Sequence, residues 1–358
     1  MSYQLNSKIR TLIPYEPICG DFEIRLDANE SYINFPRYIT DKIQEQIKSI
    51  DFNRYPDPYC KNLCKSVAQF YNIDENLITI GDGSDELIGV IINSFLQKGD
   101  NIITLSHDFS MYGFYAFLSE MNNIVVDKNE DLTIDVDRMI KTACGNDVKM
   151  IIFSNPCNPT SIGLDKQSVR KLINSVESLV VLDEAYMDFW NESLLSETAD
   201  YDNLIILRTA SKAFGAAAVR LGIAVANNVI TQALKAVKAP YNVNSVTQKI
   251  GEIIYKEKNF ITGNIKEIIK NKEFLANGLL KIQKNRPDVF TVYKSDTNFV
   301  FMKMENTNKS KEIFEYLKEN KIVIRCMGSF LRVTAGSKDQ CKKFLALFEN
   351  KLSSMYGE

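Results

Sequence analysis

The sequence predicts a large, doubly wound α/β domain with a mostly parallel sheet, joined to a smaller α+β domain. Three patterns carry that expectation. Between about residues 77 and 226, short apolar runs alternate with amphipathic stretches, the rhythm of strands covered by helices on both faces. Several of the runs are apolar throughout, as strands buried on both faces must be. After Pro240 the rhythm gives way to a long charged helical stretch followed by short strands.

The runs read as strands are residues 77–80, 101–105, 149–153, 179–182, 203–207 and 221–226. Ligands of such sheets sit beyond the strand carboxyl ends, so chemistry is expected in the polar residues that follow each run. Residues 248–284 read as helix, and 289–304 as two short strands or one broken strand. Ser337 with Gln340 makes a capping box, after which Cys341, Phe344, Leu345, Phe348 and Leu352 share a helical face. The expected division is 31–241 for the large domain, and 1–30 with 242–358 for the small domain and its N-terminal arm.

Composition narrows the partners. Lys and Arg total 43 against 45 Asp and Glu in 358 residues, which gives no electrostatic reason to expect nucleic acid or an anionic membrane. The opening MSYQLNSKIR lacks the apolar run of a signal peptide, and no stretch approaches the ~18 apolar residues of a membrane span, so a cytoplasmic protein is expected. Seven scattered cysteines and the single histidine, His107, build no metal site; Cys60 and Cys64, one helical turn apart, read as reduced thiols.

Four segments place polar groups at strand ends. Gly81-Asp82-Gly83-Ser84-Asp85-Glu86 opens a helix, and its small residues let backbone amides approach an anion such as phosphate. Glu86 stands where a dinucleotide fingerprint needs its third glycine, which argues against a nicotinamide dehydrogenase. Alone, the loop would read as a turn with Ser84 or Asp85 as a helix cap. In Ser154-Asn155-Pro156-Cys157-Asn158-Pro159-Thr160-Ser161, two X-Pro steps fix the loop so that the Asn158 amide can face a ligand. Leu182-Asp183-Glu184-Ala185-Tyr186 ends a strand on a carboxylate whose burial demands a partner. In Arg208-Thr209-Ala210-Ser211-Lys212-Ala213-Phe214-Gly215, with Arg220 eight residues after the lysine, small and apolar neighbours can desolvate Lys212 and make its amine nucleophilic.

Each segment alone has a structural explanation, but one ligand satisfies all four. It needs an aldehyde for Lys212, a pyridine nitrogen for Asp183 and a phenolic oxygen for Asn158 and Tyr186. It also needs a phosphate for the Gly83, Ser84 and Asp85 loop, Thr209, Ser211 and Arg220. Those are the groups of pyridoxal 5′-phosphate.

The motifs N-P-x-N-P-T, D-E-A-Y and S-K-A-F-G with the following arginine resemble the fold-type-I aminotransferases, and the whole set resembles the histidinol-phosphate aminotransferase family. The likeness runs from Asp27-Ala28-Asn29-Glu30 through Arg54-Tyr55-Pro56-Asp57 and Phe109-Ser110-Met111-Tyr112 to Pro240-Tyr241-Asn242-Val243-Asn244 and Leu331-Arg332-Val333-Thr334. It implies amino transfer between histidinol phosphate and glutamate or 2-oxoglutarate, in histidine biosynthesis. It also implies a homodimer in which Tyr55 reaches the neighbouring subunit's cofactor phosphate. The resemblance makes Tyr112 the ring that stacks on the pyridine and Arg332 the partner of the substrate α-carboxylate, with Asn29, Glu30 and Arg325 also at the substrate. Ser161 departs from the pattern, which commonly has glycine there, and His107-Asp108 replaces a more usual Pro-Thr. His107 is expected at the mouth of the site and outside the proton transfer, a task Lys212 can perform. An aromatic-amino-acid aminotransferase and a threonine-phosphate decarboxylase fit the same cofactor motifs. A sensor domain of a transcription regulator would need a DNA-binding domain ahead of motifs that begin by Asp27.

Overall fold

Twelve strands among the described residues sort into two sheets, the larger with an apolar cluster on each face and the smaller with a core of its own. The computed structural model describes residues 2–14 and 16–357, so residues 1, 15 and 358 of the expected division lie outside it. In chain order the strands are β1 (Ile24–Leu26), β2 (Ile78–Asp82), β3 (Asn101–Leu105), β4 (Asn122–Val126), β5 (Val148–Ser154) and β6 (Leu179–Asp183). They continue as β7 (Leu204–Thr209), β8 (Leu221–Ala226), β9 (Phe290–Val292), β10 (Phe299–Met304), β11 (Ile322–Met327) and β12 (Phe330–Thr334).

The large sheet has the order β2-β8-β7-β6-β5-β3-β4. Its neighbours are parallel except around β8, which runs antiparallel to both β2 and β7. Because β6, β7 and β8 are apolar on both faces, they are buried at nearly every position, as central strands with helices above and below require. The carboxyl ends of β2, β5, β6 and β7 and the start of β8 therefore meet along one edge. This is the doubly wound, mostly parallel α/β domain that the sequence predicts. All six expected strands are present within one or two residues; β4 is an addition, an edge strand whose Asn122 and Asn123 are exposed.

The small sheet has the order β1-β11-β12-β10-β9. Residues 289–304 form two strands, and the N-terminal β1 joins this sheet beside β11. The capping box at Ser337 and Gln340 starts the helix Lys338–Tyr356, which buries Cys341, Phe344, Phe348 and Leu352 against the sheet. Residues 248–284 divide into two helices, Ser245–Ile254 and Lys258–Asn285. The second serves both cores: Ile261 and Ile268 pack with the large sheet, Leu275, Leu279 and Ile282 with the small one. No helix of the described residues is long and apolar enough to cross a membrane.

Candidate active site

Each loop at the large sheet's carboxyl edge begins where its strand ends, so strand order decides which side chains meet. Thr209 closes β7, and its hydroxyl accepts the Ser211 amide at 3.1 Å, which turns the chain and delivers Lys212 to the edge. The Lys212 ammonium donates to the Ala28 carbonyl at 3.0 Å. Burial, reinforced by the charge of Arg332, pushes its pKa down to about 8. Roughly 10²-fold more free amine is then present at neutral pH than for an ordinary lysine.

Asp183 ends β6 and is buried. Its Oδ2 accepts from the Tyr112 hydroxyl at 2.8 Å and its Oδ1 from the Ala185 amide at 3.1 Å. Two neutral donors only partly offset the lost hydration, so burial pushes the carboxyl up to about 6. That geometry corrects the stacking role expected of Tyr112. Its ring is 0% exposed and its hydroxyl is spent on Asp183, so it holds the carboxylate and has no open face for a ligand. Phe109, edge-on to Tyr112 at 5.5 Å, is half-buried.

The first helix of the edge runs Gly83–Phe95, and its cap residue Asp82 makes no side-chain bond to the first turn. The helix therefore begins ahead of Ser84 and Asp85, neither of which caps it. The backbone here is crowded: a Cβ on Gly222 would lie 2.2 Å from the Gly83 carbonyl carbon and 2.3 Å from the Ser84 nitrogen. Gly83 has φ +80°, and a Cβ on it would lie 2.5 Å from Arg220 Nη2. Helix-start amides and a guanidinium thus face one small space, a cradle for an anion. The Asp85 carboxylate turns away to accept from the Tyr115 hydroxyl at 3.0 Å, leaving its backbone amide as what it can offer there.

The small sheet completes the site. Arg332 of β12 is buried and donates to the Asn158 side-chain oxygen and, at 2.6 Å, to the Asp27 carbonyl. Its guanidinium lies 5.3 Å from the centre of the Phe299 ring. Asn29, buried with φ +55°, donates from Nδ2 to the Tyr186 hydroxyl at 2.9 Å, while its amide donates to Thr334 Oγ1 at 3.1 Å. Burial pushes the Tyr186 hydroxyl up to about 12. Arg325, half-buried on β11, is the register partner of Arg332, so two guanidinium side chains stand on adjacent strands. Glu30 is exposed, and its charge opposes the lowering of the Lys212 pKa.

Lys212, Asp183, Tyr186, Asn158, Arg332 and Asn29 thus converge within one chain. Tyr55 does not join them: it is 81% exposed and stacks on Tyr241 at 4.6 Å. His107 is exposed with φ +50°, its ring edge-on to Phe330 at 5.3 Å, away from any proton relay. Three contributors went unread in the sequence. Phe299 and Asn298 sit at the start of a strand whose apolar run gave them no distinction. Lys128, buried against Cys157 Sγ at 2.9 Å and Thr160 Oγ1 at 3.3 Å, braces the Asn158 loop from β4's far end.

The model of the aminotransferase class I and II family matches residues 23–348. The histidinol-phosphate aminotransferase of Clostridium novyi is 42% identical over 337 residues, 93% of this chain and 92% of that protein. That of Clostridium kluyveri is 36% identical over 337 residues, 93% of this chain and 94% of that protein. The fold matches that of the Sinorhizobium meliloti histidinol-phosphate aminotransferase in complex with pyridoxal-5′-phosphate, with a TM-score of 0.87 at 19% identity and 98% coverage of each chain.

Proposed function

Since this chain belongs to the histidinol-phosphate aminotransferase family, within class I and II, we propose that it binds pyridoxal 5′-phosphate and moves an amino group between histidinol phosphate and 2-oxoglutarate. The observation that carries the reading is the pairing of a desolvated amine with a desolvated carboxylic acid: Lys212 lowered to about 8 and Asp183 raised to about 6, on neighbouring strand ends of one edge. Perturbed groups of opposite demand in one cleft mark a site built for a ligand that supplies the missing charges. The crowded glycines beside Arg220 fit its phosphate.

When bound, the cofactor supplies an aldehyde carbon for amino groups and a ring that accepts electrons. Lys212 would hold the aldehyde carbon and Asp183 the ring nitrogen; Asn158 and Tyr186 would hold the ring oxygen. The amides of Gly83, Ser84 and Asp85, with Ser211 and Arg220, would hold the phosphate, and Thr209 fixes Ser211. Once a substrate amine takes its place, the Lys212 Nζ would carry the proton from the substrate α-carbon to the carbon that bore the aldehyde, a task its lowered pKa suits. Arg332 takes the glutamate α-carboxylate as a two-toothed partner, Arg325 the distal phosphate of histidinol phosphate, and Asn29 and Glu30 line the substrate side. We read the enzyme as a cytoplasmic homodimer in which Tyr55 of one copy reaches the cofactor phosphate of the other.

A visible spectrum of the purified protein, with amino donors added singly, tests this reading. The visible band of the cofactor-loaded enzyme should be bleached by histidinol phosphate and by glutamate ahead of phenylalanine. A preference for phenylalanine, or carbon dioxide release from threonine phosphate, would replace it with one of the rival chemistries.

A further inference from the structure

Ser161 carries an unusual combination of features for a residue that never faces solvent. It is 0% exposed and has φ +68°, a backbone conformation that favours glycine. A glycine would satisfy the turn but could not supply a hydroxyl.

That hydroxyl crosses from the loop after β5 to the segment entering β10. Ser161 Oγ lies 2.9 Å from Ser295 Oγ, 2.6 Å from Thr297 Oγ1 and 3.3 Å from the Phe299 carbonyl oxygen. Three hydroxyls therefore close around one carbonyl. The backbone repeats the join, with the Asp296 amide donating to the Ser161 carbonyl at 2.9 Å and the Gly163 amide to Asp296 Oδ2 at 3.1 Å.

Outward from this knot, every step leads to the substrate side of the site. Asn298 donates to the Asn29 carbonyl at 3.1 Å and accepts from the Ala335 amide at 2.9 Å. The Phe299 ring lies edge-on to Tyr186 at 5.3 Å and beneath the Arg332 guanidinium. Three residues upstream of Ser161 in the same loop, Asn158 holds Arg332 directly.

We infer that Ser161 is a positioning residue: its hydroxyl clasps residues 295–299, which lead into β10 of the small sheet, to the loop after β5, and so sets where Arg332 stands for a substrate carboxylate. The inference rests on the reading of Arg332 as the carboxylate's partner. The clasp acts at the junction of the two cores, where a sub-ångström slip moves Phe299 and Arg332 together relative to Lys212.

Ser161→Gly and Ser161→Ala in the holoenzyme test it, with Arg332→Lys as a reference. Both Ser161 variants should raise the KM for 2-oxoglutarate by about tenfold with kcat within about twofold, the signature of lost carboxylate positioning. Amide exchange in residues 293–299 should quicken in both variants, with or without cofactor. Ser161→Gly should keep its melting temperature because glycine takes the left-handed backbone freely. A lowered melting temperature with unchanged KM would show a merely structural residue and overturn the inference, as would unchanged exchange in 293–299. If Arg332→Lys leaves the KM for 2-oxoglutarate unchanged, the carboxylate reading fails instead, and the exchange data alone decide the clasp.

Discussion

On the large sheet, Asp183 ends its strand and Lys212 and Asn158 follow theirs within four residues; on the small sheet, Arg332 sits inside β12 and reaches the site through Asn158, Asp27 and Phe299. The first arrangement is local. Each group is set by its own strand and turn, and burial is the largest influence tuning Lys212 and Asp183. The second is long-range, since Arg332, Asn29 and Thr334 come together only when β1, β10 and β12 share a sheet. The contrast teaches that reactivity is built into one half of the molecule, while recognition depends on how the two halves register.

The largest expected effect tests the local half. Lys212→Ala should lower kcat by on the order of 10³–10⁴-fold, since covalent anchor and proton carrier are lost together. Borohydride should no longer fix cofactor to the protein. Retained turnover with a trappable link would move the reactive amine elsewhere and dissolve the contrast.

Asp183 offers a sharper test because it reads burial directly. In the folded chain its pKa stands at about 6 against an ordinary 3.8, so the folded protein keeps a proton that the unfolded chain releases between those values. Stability from this group is therefore fully present below pH ~4 and lost as the pH rises from about 4 to 6, by on the order of 3 kcal/mol. Cofactor-free Asp183→Asn should lack this loss. Denaturation midpoints of the two proteins at pH 4 and pH 7 measure it, and parallel pH slopes would show that Asp183 is not desolvated.

The same contrast explains what could be read from the sequence. Strands β3 and β8 matched residue for residue because strands buried on both faces are nearly continuous apolar runs with little to compete. Strand β4 escaped because an edge strand beginning Asn122-Asn123 and exposing Val125 has no such run. The motifs placed Lys212 and Asp183 correctly at strand ends, but the Tyr112 role was misread: four aromatics lie within 109–115, and only packing decides which ring is covered. Ser161 looked like loop detail because its partners lie about 134 to 138 residues away, beyond any local pattern.

The recognition half has its own discriminating test. Arg325→Ala should weaken histidinol phosphate by roughly ten- to a hundredfold in kcat/KM, the loss of a charge-assisted hydrogen bond in a partly closed site, while glutamate stays within a few-fold. Arg332→Ala should show the opposite preference. Equal losses for both donors in Arg325→Ala would mean that the two arginines form one undivided cationic surface and that specificity lies elsewhere.

The smallest effect concerns Tyr55, an expected site residue that lies outside the converged set. Tyr55 is exposed and rests on Tyr241, a stack that leaves its hydroxyl without the burial seen at Tyr112 or Tyr186. If a second copy covers this surface, Tyr55 contributes one hydrogen bond from a neutral hydroxyl to a phosphate whose charge is already met by Arg220 and helix-start amides. Its loss should then cost about 0.5–1.5 kcal/mol, a roughly two- to tenfold rise in the cofactor dissociation constant of Tyr55→Phe. Sharing between subunits can be separated from a same-chain role. Mixing Tyr55→Phe with Lys212→Ala at limiting cofactor should restore part of the activity if the copies exchange, because one of the two hybrid sites then contains Lys212, Arg220 and an intact Tyr55 from the other copy. The gain must exceed that of the same mixture made with Tyr55→Phe on both chains. Equal recovery in the two mixtures, with exchange verified by mass, would place Tyr55 outside the neighbouring site and leave each half of the molecule to work within its own chain.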